Sequence, residues 1–371
     1  MTELDRRKLV TFTADTIKNV SSDEYPQYYP GGEDYSWSVD KFKKNFRIQM
    51  HKAEPLNATF SLIGIDASIA NAFRRILLAE IPTLAIETAF IMNNTSIVQD
   101  EVLAHRLGLI PLKGGKEGIQ LMTRVKKRED GTAESVFSDY NTVVLNLKIE
   151  CKWKPNGPQK ARNGVTDVDE LYENPNVYAK HLVFEPQGRQ TEWFDGENAI
   201  RPVHPDILIA KLRPGQTIHA VLHCNKGIGA DHAKFSPVAT AFYRLLPQID
   251  IVKPIFGKDA LKFARCFPKG VIKRVPVTQE DLSQPGFEGA KEGDEKAVVD
   301  DPMKDTVSRE CLRHDEFKNK VKLGRVRDHF IFSVESTGQF DSEELFIDSV
   351  KLLKTKCARV KRSLARLKGM N

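Results

Sequence analysis

Residues 60–112 read FSLIGIDASIANAFRRILLAEIPTLAIETAFIMNNTSIVQDEVLAHRLGLIPL, and this stretch decides the fold. It opens with alternation: Phe60, Leu62 and Gly64 share one face and Ser61 and Ile63 the other, the two-residue period of a strand. Asp66 stands at an N-cap position just ahead of an apolar-periodic run. In a helix over 68–79, Ile69, Ala72, Phe73, Ile76 and Leu77 fall on one stripe, while Asn71, Arg74 and Arg75 point away from it. Leu78 is apolar on the far side, and a helix apolar on two sides is usually covered on two sides. Pro82 ends the helix, because proline disfavours helical geometry in the residue before it. A second strand is expected over 84–92, followed by a short helical stretch and the heptapeptide RLGLIPL at 106–112.

Outward from this segment the pattern is looser. Residues 20–37 are rich in turn formers, acids and tyrosine and read as an extended arm, so residues 1–41 are expected to be flexible and order to begin near Phe42. Phe46, Ile48 and Met50 then alternate as a strand. Polar, glycine-bearing stretches at 113–135 and 155–169 read as surface loops, with strands expected near 142–153 and 217–224. Residues 276–305 look most like a linker, although 296–299 has the composition of a strand. Phe330, Phe332 and Val334 alternate again, and Asp341-Ser-Glu-Glu344 has the form of a capping box.

The longest periodic helix follows. Phe346, Val350, Leu353, Cys357, Val360, Leu364 and Leu367 alternate spacings of four and three, the seam of a coiled coil. Acids cluster at its start, and from Lys351 onward there are only bases, a polarity that suits the helix dipole. The spacing leaves open whether the seam is covered by the chain itself or by a partner.

The chain has 371 residues, 40% hydrophobic and 29% charged, with a net charge of +6, as expected of a soluble globular protein of two or three domains. The beginning, MTELDRRKLV, does not read as a secretory signal, and no apolar run approaches the ~18 residues of a membrane span, so a cytosolic or nuclear chain is expected. The five cysteines are widely spaced with no CxxC among them, which favours reduced, structural thiols.

Sites of chemistry are sparse. His219, His223, Cys224 and His232 have zinc-ligand residue types, yet in a strand His219 and His223 share a face that Cys224 does not. Gly227-Ile-Gly229 lacks the rest of a phosphate loop. No nucleophile elbow, HExxH or Walker lysine is present. The basic face of the last helix could meet phosphates, although basic helices are more often solvated or paired with acidic partners.

The order of strand, Asn-x-x-Arg-Arg helix, Ile-Pro, strand and RLGLIPL resembles the dimerisation element of the alpha-like subunits of cellular RNA polymerases. The stretch KGIGADHAKFSP at 226–237 is similar to another signature of that family. Within it, RPVHPDILIAKLRPG at 201–215, SPVATAFYRLLP at 236–247 and LGRVRDHFIFSVESTG at 323–338 look like the larger alpha-like branch shared by polymerases I and III. The polymerase II branch carries a zinc-binding cysteine cluster soon after RLGLIPL, whereas here no cysteine follows until Cys151. Archaeal relatives can hold an iron–sulfur cluster in a small third domain, but Cys266 and Cys311 cannot supply four thiolates.

The resemblance implies an α+β fold. A discontinuous dimerisation domain would comprise 42–84, 240–258 and 311–371, with an inserted β-rich domain at 85–239 and a small third domain at 259–310. It implies a non-catalytic, architectural nuclear and nucleolar subunit with no cofactor and little or no direct DNA contact. Its partners would be the smaller alpha-like subunit, the second-largest catalytic subunits of polymerases I and III, and two small zinc-binding common subunits. Assembly contacts would come from Phe60, Leu62, Ile69, Asn71, Phe73, Arg74, Arg75, Leu77, Leu78 and Arg106, with Phe346, Val350, Leu353, Cys357, Val360 and Leu364 of the seam. Lys226, Gly227, Gly229, His232, Lys234 and Phe235 would touch other subunits. A polymerase II-type subunit and an independent nucleic-acid-binding protein are the alternatives.

Overall fold

The computed structural model describes residues 9–18, 20, 38–121, 124–127, 133–135 and 137–368. The fold is mixed α and β, and its described parts divide into two compact units: Met1–His51, Thr59–Asn71 and Phe242–Ser333 form one, Lys52–Ala58, Ala72–Ala241 and Val334–Asn371 the other. The long helix therefore groups with the segments around the second sheet, which differs from the division expected from sequence.

A six-stranded sheet has the order Ile17–Lys18, Leu9–Phe12, Val321–Ser336, Asn57–Ile63, Arg47–Ala53, and Val238–Ile251 also pairs with Val321–Ser336. The alternation in its strands does what a half-buried sheet requires. Phe60 and Leu62 are buried, and Phe60 stacks on Phe332 with ring centroids 5.4 Å apart. Tyr243 packs against Phe330 and Phe332, both at 5.3 Å. Ser61 on the opposite face is buried as well, and its hydroxyl is paired by Nε2 of His51 at 2.7 Å and of His329 at 2.8 Å. Gly64 ends that strand: its φ is +81°, its N–H donates to the Asp328 carbonyl at 2.7 Å, and a Cβ there would lie 2.8 Å from the Asn45 carbonyl.

Two sequence expectations fail in this unit. Residues 1–41 were expected to be a flexible arm, but Leu9–Phe12 is a strand of the sheet and Val39–Asn45 is a helix. The rest of the expected arm, 1–8, 19 and 21–37, lies outside the described residues. Nor do residues 259–310 stand apart. Ala260, Phe263, Val271, Ile272 and Ala297 share one apolar core with Val10, Phe12, Ile249, Ile255, Cys311, Phe317 and Leu323. The linker-like stretch is ordered by pairing: Glu295–Val299 forms a hairpin with Ile272–Pro276. Thr278 and Asp281 cap a short helix reciprocally. The Lys296 ammonium first, then Thr278, hold the Asp281 carboxyl down to about 2. Its polar composition pays for turns and caps around a narrow apolar stripe.

In the second unit four antiparallel strands run Leu182–Glu185, Thr142–Glu150, Thr217–Gly227, Thr83–Asn94. Leu145, Leu147, Ile218, Ala220, Leu222, Cys224 and Ile86 form its inner face, and helix Asp100–Gly108 lays Leu103 and Leu107 into the same core.

Candidate assembly surface

Helix Ala67–Ala79 starts where its N-cap predicts, with the Ser68 N–H donating to Asp66 Oδ1 at 2.8 Å. Ala70, Ile76 and Leu77 are its buried positions. Ile69, Ala72, Phe73 and Leu78 are only half-buried, so part of the predicted stripe is left open by the chain itself. Asn71 and Arg74 are half-buried and Arg75 is exposed. Phe73 meets Phe346 of the C-terminal helix edge-on, at 5.4 Å.

The far end of this helix is fixed by the segment that sequence marked as KGIGADHAKF. Ala230 N–H donates to the Ala79 carbonyl at 2.8 Å, satisfying one of the helix's terminal acceptors. Gly229 lies so close that a Cβ would stand 2.4 Å from the Leu78 carbonyl oxygen. Gly227 faces the Phe235 ring, and Thr83 Oγ1 donates to the Phe235 carbonyl at 2.6 Å. Lys226 donates to the Lys116 carbonyl at 2.7 Å, and its burial lowers its pKa. Lys234 reaches the Ile86 carbonyl at 2.9 Å and the Glu87 carboxylate at 2.6 Å. His232 accepts the Lys234 N–H through Nδ1. Within the chain these contacts tie the segment to the helix end, to the sheet edge and to itself.

Other expected contact residues are likewise engaged within the chain, Arg106 from an exposed position. Phe60, Leu62 and Leu77 are buried, so a partner feels them only through the elements they support. Arg106 donates to the Ile209 carbonyl at 2.9 Å and the Leu208 carbonyl at 2.6 Å, tying RLGLIPL to the strand Leu208–Lys211. A short spacing pattern on a helix cannot show that an arginine is consumed by carbonyls a hundred residues away.

Helix Ser342–Lys368 carries the surface that remains. Its N-terminal turn is anchored: the Ser342 N–H donates to the Pro55 carbonyl at 2.9 Å and its hydroxyl to the Glu54 carbonyl at 2.7 Å. Leu345 and Ser349 are fully buried. Lys116 bridges Glu344 and Asp348, the latter at 2.7 Å. Leu345, Ser349 and half-buried Leu352 form the face turned to the chain. Sequence reasoning missed this face because a serine sits in its middle. The predicted seam lies beside it and turns outward. Phe346 and Leu353 are half-buried, Val350 and Cys357 exposed, and Val360, Leu364 and Leu367 stand 59%, 55% and 63% exposed.

The histidines do not converge. Cys224 faces the core, the His223 ring sits between Phe90 and Phe137, and among the described residues no group of three or more His, Cys, Asp or Glu side chains could hold a metal ion. Burial pushes the Cys311 thiol up to about 12, as expected of a core residue. No helix among the described residues is long and apolar enough to cross a membrane.

Comparison with known proteins agrees with this picture. The family model of the RNA polymerase Rpb3/Rpb11 dimerisation domain matches residues 59–357. The chain is 48% identical over 345 residues to DNA-directed RNA polymerases I and III subunit RPAC1 of Saccharomyces cerevisiae, covering 93% of this chain and 95% of that one. It is 45% identical to the Homo sapiens protein of the same name, over 92% of this chain and 91% of the other. DNA-directed RNA polymerase II subunit rpb3 of Dictyostelium discoideum is 27% identical over 89% of this chain and 98% of its own length. With the helix pair, the closing segment and the long outward seam in place, the chain belongs to the RNA polymerase Rpb3/Rpb11 dimerisation-domain family.

Proposed function

We propose that this protein is the larger alpha-like subunit of RNA polymerases I and III. It pairs with the smaller alpha-like subunit to form the platform on which the large catalytic subunits assemble. The observation that carries this reading is the apolar stripe of helix Ser342–Lys368, which runs past Ser349, the last buried residue among those described, and stays exposed from Cys357 to Leu367. A soluble protein rarely leaves a continuous apolar stripe uncovered unless a partner covers it. Phe346, Val350, Leu353, Cys357, Val360 and Leu364, together with the half-buried stripe residues Ile69 and Phe73, provide the dimer seam, and half-buried Leu78 adds a contact on the helix's far side.

Asn71, Arg74 and Arg75 lie beside that seam and hold the dimer to the second-largest subunits. The segment around Lys226 to Phe235 supports the contact indirectly, by fixing the helix end. Two small zinc-binding common subunits complete the platform. The role is architectural, in the nucleus and nucleolus, in service of ribosomal, 5S and transfer RNA synthesis. The identity of 48% and 45% to the shared polymerase I and III subunit, against 27% to a polymerase II subunit, supports the choice of branch.

The test is to tag the chain in its own cells, purify it gently and identify the largest subunits that accompany it. Joint recovery of the polymerase I and III large subunits is expected. Recovery of the polymerase II large subunit alone would keep the fold and overturn the assignment. Recovery of none would leave an independent binder, for which salt-dependent nucleic-acid binding is the next assay.

A further inference from the structure

Strand Val321–Ser336 is longer than the strand beside it. Asn57–Ile63 leaves the sheet at Gly64, whose N–H donates to the Asp328 carbonyl. Beyond that point, residues 323–326 would present bare N–H and C=O groups, an open edge that invites pairing. Leu9–Phe12 pairs with this stretch, antiparallel, with Leu9 opposite Val326 and Phe12 opposite Leu323.

The slot is fitted to an extended guest. Gly324 leaves room for it, since a Cβ there would stand 2.6 Å from the Val10 carbonyl oxygen. Val10 and Phe12 are buried in the core beneath, while Leu9 and Thr11 alternate to the other side and stay half-buried. The Arg325 guanidinium lies 5.2 Å over the Phe12 ring. Arg309 donates to the Thr13 carbonyl at 3.3 Å, from a backbone held at a φ of +58°, two residues after Val307 at the same φ. A β-branched residue in that region is costly, so the surroundings enforce the local conformation. The guest is covalently remote, because twenty-five residues, 13–37, separate Phe12 from Ser38.

We infer that the edge at residues 323–326 is a strand-acceptor site, and that residues 9–12 are its tethered and exchangeable ligand. The partner class it fits is an extended peptide with apolar residues at alternate positions, the second of them aromatic, recognised by β-augmentation. In cis the site is filled by the chain's own N-terminus. Connection to the body makes that binding intramolecular, so a free peptide must bind more weakly than the tethered one.

The experiment inserts a protease site between residues 21 and 37 of the full chain and cleaves it. A fluorescent synthetic peptide of residues 1–20 is then titrated up to millimolar concentration and its anisotropy followed. Retention of the cut fragment, saturable uptake of the labelled peptide and displacement by unlabelled peptide are expected. Peptides carrying Val10→Asp or Phe12→Asp should bind at least tenfold more weakly, and these place no substitution in the folded body. A fragment that never exchanges would mean a fixed strand of the fold and would overturn the inference. So would a fragment that leaves without rebinding while the remaining chain keeps its circular dichroism melt, or equal binding of the aspartate peptides.

Discussion

Between Ser342 and Leu353 the C-terminal helix has an inside and an outside; from Lys354 to Leu367 every residue is exposed, with Lys356 reaching back to Glu80 at 2.6 Å. The same apolar period runs through both halves. In the first half the chain buries Leu345 and Ser349, one position away from the seam, and leaves Val350 exposed. In the second half nothing among the described residues buries Val360, Leu364 or Leu367. A run of about 14 residues is marginal as an isolated helix, and this one is laden with like charge. Its apolar residues would each yield roughly 1.5–3 kcal/mol on full burial. The difference teaches that an amphipathic pattern alone does not say which body it is for. The anchor of a helix and its docking stripe can be adjacent faces, and only burial separates them.

Ranked by their effect on the chain's own stability, four variants probe the contrast. Leu345→Asp, at a fully buried position of the anchored half, removes an apolar side chain and buries a carboxylate in its place. A loss of about 4 kcal/mol or more is expected, measured by chemical denaturation of the purified chain. A midpoint equal to that of the parent would show that the anchored half is not held as described. Gly229→Ala comes next. Its Cβ would meet the Leu78 carbonyl at 2.4 Å, a backbone atom that cannot simply rotate away, so the closing segment must shift. The expected cost is about 1–3 kcal/mol.

Lys116→Met tests the polar clamp on the anchored half. Burial alone raises the Asp348 carboxyl, but hydrogen bonds from Lys116 and Lys351 more than reverse this, so its net direction is down. A carboxyl held below its unfolded value of about 3.9 stabilises the fold above that pH and loses the contribution as pH falls through the folded value. Lys116 moves oppositely: burial lowers it, and Asp348 and Glu344 raise it by more, so its share is lost only as pH rises through its folded value above 10.5. The variant should lose about 1 kcal/mol at neutral pH, and its melting temperature should fall less steeply than the parent's between about pH 5 and pH 3. Parallel pH profiles would mean that the clamp contributes nothing to the anchor.

Much of this was legible in the sequence because it is local. The strand through Phe60 and Leu62, the cap at Asp66, the Asn-x-x-Arg-Arg helix and the terminal heptads are set by periods of two and 3.6, which neighbouring residues carry by themselves. What escaped was non-local. Arg106 reads as an assembly contact, and only the fold brings the carbonyls of residues 208 and 209 to its guanidinium. Leu9–Phe12 is too short to signal a strand without the edge that receives it. Residues 276–305 look like a linker because the five-residue strand Glu295–Val299 and a cap leave little apolar trace. The spacing supplied the seam and the family resemblance gave it a partner, yet neither could say that Leu345 lies inside and Val350 outside.

The double substitution Val360→Asp with Leu364→Asp should change the chain's own stability least and its company most. Both side chains are more than half exposed, and neither belongs to an apolar core of the chain. Exposed substitutions of this kind usually shift stability by no more than about 0.5 kcal/mol, and the added carboxylates ease repulsion among Lys356, Arg359, Lys361 and Arg362. The denaturation midpoint should therefore stay with the parent's. Co-expression with the smaller alpha-like subunit should instead yield no heterodimer by size exclusion, because two carboxylates would have to be buried in the helix seam without partners. A full-strength heterodimer from this variant would remove the outer half of the helix from the interface. A collapsed midpoint would mean that the outer half is held by the chain after all, and the contrast between the two halves would disappear.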